Sequence, residues 1–116
     1  MFVFTEPASP EVEAEYNRWY DEQHLPEVCA WPGITAARRY KLNPGSPGAA
    51  RSGEARSGEA RSGEARYLAV YDLDSDDPRA LLRDLQAAAT DGRLHMSDAL
   101  QVDPFPVVKL YDVWEG

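Results

Sequence analysis

Asn17, Tyr20 and His24 stand three and four residues apart in a stretch of helical character, a spacing that carries side chains to one helix face. His24 is the first candidate for chemistry, because an imidazole with a pKa near about 6.5 moves a proton at neutral pH. Tyr20 is the second catalytic candidate, its hydroxyl suited to orienting a carbonyl or a phenol, and Asn17 is a substrate-binding candidate beside it. Each has a structural alternative. His24 precedes Leu25-Pro26, where a helix-terminal histidine is favoured by the dipole or locks a turn, and Tyr20 falls on an apolar stripe that packs a core.

Further substrate-binding candidates lie elsewhere in the chain. His95, in Arg93-Leu94-His95-Met96, sits in a loop placed to close over a cavity or to face solvent. Arg38 and Tyr40 share a strand face with Ile34 on strict alternation. There Arg38 binds a carboxylate or enolate if the face lines a pocket, or pairs with an acid if it lines a dimer seam. Trp19, Trp31 and Trp114 are expected in the core or at an interface, and Cys29, beside Val28 and Trp31, as a buried inert thiol. Two isolated histidines and one cysteine give no zinc spacing, and the helical angles of Asp21, Glu22, His24 and Glu27 scatter, so no metal is expected. No GxGxxG, phosphate loop or nucleophile elbow occurs, so no cofactor is expected.

These residues need elements to hold them. Phe2-Val3-Phe4-Thr5 reads as a first strand. Ser9 then Pro10, with Glu11 and Glu13 in the first turn, predicts a helix from Pro10 to His24, stopped by Leu25-Pro26. Trp31-Pro32-Gly33 makes a turn into a second strand from Ile34 to Leu42, and Tyr67 to Leu73 forms a third that is apolar on both faces. Asp77 caps a second helix from Pro78 with an apolar stripe of Leu81, Leu82, Leu85, Ala88 and Ala89 that ends at Asp91-Gly92. Leu94 to Leu100 adds an irregular turn, and Val107 to Trp114 reads as a fourth strand.

Between strands two and three, Arg-Ser-Gly-Glu-Ala repeats three times over residues 51–65. Its glycine and serine content opposes a lasting helix, so 43–65 reads as a flexible low-complexity loop inserted into one domain spanning 1–116.

The order βαββαβ specifies an α+β chain with a ferredoxin-like antiparallel sheet and two helices on one face. Strands three and four are apolar on both faces, so the uncovered side is expected to meet the same face of a second copy, making a homodimer.

Composition agrees with one domain. The chain has 116 residues, 43% hydrophobic and 28% charged, within the ordinary globular range. Its formal net charge of −8 has the wrong sign for gripping a polyanion, so no nucleic acid partner is expected. The single cysteine permits no intramolecular disulfide, and the start MFVFTEP has neither a basic region nor a cleavable apolar run. No apolar stretch reaches the roughly 18 residues of a membrane span. A cytoplasmic protein without a membrane partner is expected.

The run Glu15-Tyr16-Asn17-Arg18-Trp19-Tyr20-Asp21-Glu22-Gln23-His24-Leu25-Pro26-Glu27-Val28, followed by Pro32-Gly33 and Ala37-Arg38-Arg39-Tyr40, resembles small bacterial proteins of the EthD-like group, within the dimeric α+β-barrel superfamily. The resemblance implies a subunit whose sheet pairs with its twin's to form a barrel, with a cavity between sheet and helices. Among relatives in that superfamily are cofactor-free monooxygenases, muconolactone-type isomerases, polyketide cyclases and EthD-type decarboxylases. The repeat departs from the short connection usual between strands two and three.

The function expected is a cofactor-independent enzyme acting on a small hydrophobic molecule, aromatic or polyketide-like, by proton transfer. His24 moves the proton and Tyr20 or Asn17 fixes an oxygen. The alternatives are a carrier of such a ligand, or a structural dimer with a filled interior.

Overall fold

The computed structural model describes residues 1–46, 65–103 and 105–115. Most of the expected loop over 43–65, including nearly all of the repeat, lies outside the described residues.

Four strands, β1 (Phe2–Thr5), β2 (Ile34–Lys41), β3 (Tyr67–Leu73) and β4 (Val107–Lys109), form one antiparallel sheet in the order β2-β3-β1-β4. The helical elements are α1 (Glu13–Trp19), α2 (Leu25–Cys29) and α3 (Pro78–Asp91). This is a small α+β arrangement, compatible with a ferredoxin-like one. Tyr16, Trp19, Tyr20 and Val28 from the first helical segment, Leu85 and Ala88 from α3, and Tyr67, Ala69 and Tyr71 from β3 fill the core between the layers.

The first helical segment corrects the expected boundary at His24. A 3-10 turn (Pro10–Val12) opens it, α1 follows, and a π turn (Tyr20–His24) leads directly into α2, so helical backbone continues through Cys29. Pro26 accounts for the irregularity. A proline has no N–H to give the carbonyl four residues back and its ring crowds that oxygen, whereas a wider turn relieves both. Within it, Leu25 N–H donates to Tyr20 O, five residues back. Ser9 precedes this segment with extended backbone but makes no side-chain cap.

α3 follows its expected course. Asp77 accepts a hydrogen bond from Ala80 N at 3.1 Å, a cap of the kind worth about 1 kcal/mol, and Gly92 ends the helix at φ +94°, where only glycine sits without strain.

β2 is where the alternation misleads. Ile34 pairs with Leu73 and Ala36 with Asp72, so Thr35 is an extra residue, a bulge that inverts the facing of everything after it. Ile34, Ala37 and Arg39 turn toward the helices, while Arg38 and Tyr40 point to the opposite, open face. β4 is also shorter than the expected strand over Val107 to Trp114. Lys109 already pairs with Phe2, the first residue of β1, so the chain beyond it has no strand to pair with. Trp114, expected in the core or an interface, is 88% exposed, and Cys29 is half-buried rather than enclosed.

No helix among the described residues is long and apolar enough to cross a membrane.

Candidate functional site

Between the layers lies an apolar cavity of about 130 Å³. β1 contributes Val3 and Thr5 to its floor, α3 gives Leu82 and Leu85, and the π turn presents Tyr20 and His24. Gln86, Met96 and Pro106 are the exposed members of the lining and mark its mouth.

Two of these lining residues each keep one polar atom buried and left over. Tyr20 Oη and His24 Nδ1 are both buried without a hydrogen-bond partner among the described residues. Tyr20 is 1% exposed, and its hydroxyl faces the Tyr71 phenol without a well-formed bond. Burial, followed by the neighbouring Tyr71, holds the Tyr20 phenol well above its ordinary range. Burial also pushes Tyr71 up to about 12. For His24, burial favours the neutral ring and brings the pKa down to about 4, with Glu27 pulling weakly the other way. Such leftover groups are rare in folded proteins, because each costs about 1–3 kcal/mol when no partner is found.

Aromatic rings fix both side chains. Trp19 stacks on His24 with centres 4.6 Å apart, and Tyr20 meets His24 edge-on at 5.0 Å. On the far side of Tyr20, the Arg39 guanidinium lies 4.3 Å above its ring, 5.1 Å from Tyr67 and 5.3 Å from Tyr16. Arg39 donates to Asp21 at 2.8 Å and to Asn17 Oδ1 at 2.9 Å. Arg39 is the functional-looking cation that alternation missed, and the only signal for it was the chance of a bulge near Thr35.

The remaining candidates fall outside the cavity. Asn17 turns to Arg39 and donates to Tyr67 Oη at 3.1 Å. The π turn separates it from His24, since a wider turn advances the chain by fewer degrees per residue than the α-helical spacing assumed. Arg38 and Tyr40 are on the open face, remote from the helices, so neither lines the cavity. The His95 side chain is exposed and pairs with Glu27 through Nδ1, while its neighbours Leu94 and Met96 reach the cavity.

His95 nevertheless ties down the mouth. Its N–H donates to Glu27 Oε1 at 3.0 Å, and its carbonyl accepts from Trp19 Nε1 at 2.9 Å. The loop carrying Leu94 and Met96 is thus latched to α1 and α2 from both sides of one residue. Among the described residues, no three His, Cys, Asp or Glu side chains converge to hold a metal ion.

The fold and cavity define a class: a small α+β protein with helices on one face of an antiparallel sheet and an apolar chamber between the layers. The chain matches no protein-family model, no curated protein and no solved structure.

Proposed function

We propose that the chain binds a small hydrophobic molecule in the chamber and acts on it by proton transfer without a cofactor, with His24 moving the proton and Tyr20 holding an oxygen. The observation that carries this reading is that Tyr20 and His24, each with a buried polar atom that has no hydrogen-bond partner among the described residues, both line an otherwise apolar chamber. Sites built for function leave such groups waiting for a ligand. The EthD-like reading of the run from Glu15 to Val28 belongs to the same proposal, as does a cytoplasmic setting, with which the free thiol of Cys29 is in keeping.

A second reading, a carrier without turnover, is favoured by the lowered pKa of His24. A base of pKa about 4 takes few protons at neutral pH. Native mass spectrometry of the purified protein identifies what occupies the chamber, and incubation with that ligand in heavy water separates the two readings. Deuterium entering the ligand's C–H positions, lost in His24→Ala while binding persists, supports catalysis; tight binding with no deuterium uptake leaves the carrier.

The working unit is proposed to be a homodimer. The open sheet face carries two cross-strand rows, Tyr40–Leu68–Phe4–Val107 and Arg38–Val70–Phe2–Lys109, the first apolar from edge to edge. Beyond it, Tyr111 and Val113 are exposed along with Trp114. A second copy laid on this face removes that apolar surface from water. Analytical ultracentrifugation is expected to give twice the chain mass, reverting to the single chain in Phe4→Asp. A monomer at every concentration would sink the proposal.

A further inference from the structure

We infer that the segment after β4 is an arm that grips a second copy of this chain, with Tyr111, Val113 and Glu115 of each copy lying on the open sheet face of the other. The inference rests on the homodimer proposed above and adds which residues cross between the copies.

Chain direction comes first. β4 passes from Val107, in the row Tyr40–Leu68–Phe4–Val107, to Lys109, in the row Arg38–Val70–Phe2–Lys109, and the chain then runs on away from both. Tyr111 is still on the open face, its ring centre 4.8 Å from that of Phe2. Continued alternation puts Val113 and Glu115 on the same side. Residues 110–115 belong to no helix or strand, and they contain neither glycine nor proline to turn them back onto their own apolar row. A two-fold axis across the strands reverses the chain direction, so each arm points along the other copy's sheet toward that row.

Apolar surface comes second. Tyr111 is 63% exposed and Val113 85%, and both continue the apolar open face past its edge. A second copy on that face covers the arm as well, without any rearrangement of the chain that carries it.

Charge comes third. The second row holds Arg38 at one edge of the sheet and Lys109 at the other, and Asp72, two residues along β3 from Val70, is the acid on the same face. Two such faces laid together bring four strand cations against two strand acids, and one Glu115 from each arm evens the count.

Sedimentation of Val113→Asp and NMR of a half-labelled dimer test the inference. The substitution is expected to raise the dimer dissociation constant by about thirtyfold or more, the effect of an unpaired charge at a dry contact, with the circular dichroism unchanged because Val113 is exposed in the single chain. In a dimer with one copy labelled with carbon-13, isotope-filtered spectra are expected to show the Val113 methyl groups in contact with the Phe4 ring of the unlabelled copy. An unchanged dissociation constant in Val113→Asp, or Val113 methyl groups without contact to the other copy's sheet, overturns the inference and leaves the dimer standing. A full chain that is monomeric at every concentration overturns both.

Discussion

Trp19 and His24 are five residues apart, yet their rings stack with centres at 4.6 Å and planes inclined by 24°. On a regular α-helix a separation of five turns side chains roughly 140° away from each other. The π turn over Tyr20–His24 removes most of that angle. One backbone irregularity thus clamps the imidazole against an indole whose Nε1 also holds the mouth loop through the His95 carbonyl.

The clamp makes Trp19 a reporter of His24. In a chain carrying Trp31→Phe and Trp114→Phe, acid titration of the remaining fluorescence is expected to show quenching with a midpoint near pH 4, the value to which burial brings His24. A midpoint at the ordinary imidazole value would mean that the ring is in water.

The same burial links stability to pH. Folding holds His24 at about 4 against roughly 6.5 in the unfolded chain, so the unfolded state binds the proton first. Its contribution is complete above about pH 6.5 and is lost as pH falls toward 4. Urea denaturation at pH 7 and pH 5 is expected to differ by about 2 kcal/mol more in the natural chain than in His24→Phe. Identical pH dependence in the two would remove the linkage.

Tyr20→Phe is expected to stabilise the free protein. It deletes a buried hydroxyl that has no partner and leaves the ring against Trp19, Tyr16 and Arg39. A gain of about 1 kcal/mol, or roughly 4 °C in Tm by calorimetry, is expected. A loss of stability would show that the hydroxyl is already satisfied.

Adjacent arginines should behave oppositely. Arg39→Met removes a guanidinium that is half-buried among three tyrosines and bonded to Asp21 and Asn17, and should cost about 2 kcal/mol in denaturant unfolding. Arg38→Met, on the open face, should change stability by no more than about 0.5 kcal/mol. The reverse order would mean that Thr35 is not a bulge.

Glu27→Gln tests the latch. It removes the charge that pairs with the His95 ring and weakens the bond from the His95 N–H. Amide exchange at His95 is expected to quicken by about tenfold with little change in Tm. Unchanged exchange would show that Trp19 holds the loop alone.

Much of the frame is legible in order and spacing. Asp77-Pro78 and Asp91-Gly92 delimit α3 because capping and left-handed backbone are properties of a few adjacent residues. β3 could be read for the same reason, its residues alternating without interruption from Tyr67 to Leu73. Tyr20 and His24 could be nominated from their helical spacing, but Asn17, Arg38, Tyr40 and His95 could not be placed.

By itself, the sequence determined the element order, the two ends of α3 and the net negative charge, since all of these follow from local chemistry and composition. Only the tertiary structure decided that Arg39 rather than Arg38 turns inward, and that Tyr20 Oη and His24 Nδ1 stay unpaired beside a chamber. The reason is physical: a bulge at Thr35 or a wide turn before Pro26 shifts every later side chain in its element. Whether a polar atom is satisfied depends on groups far away in the chain.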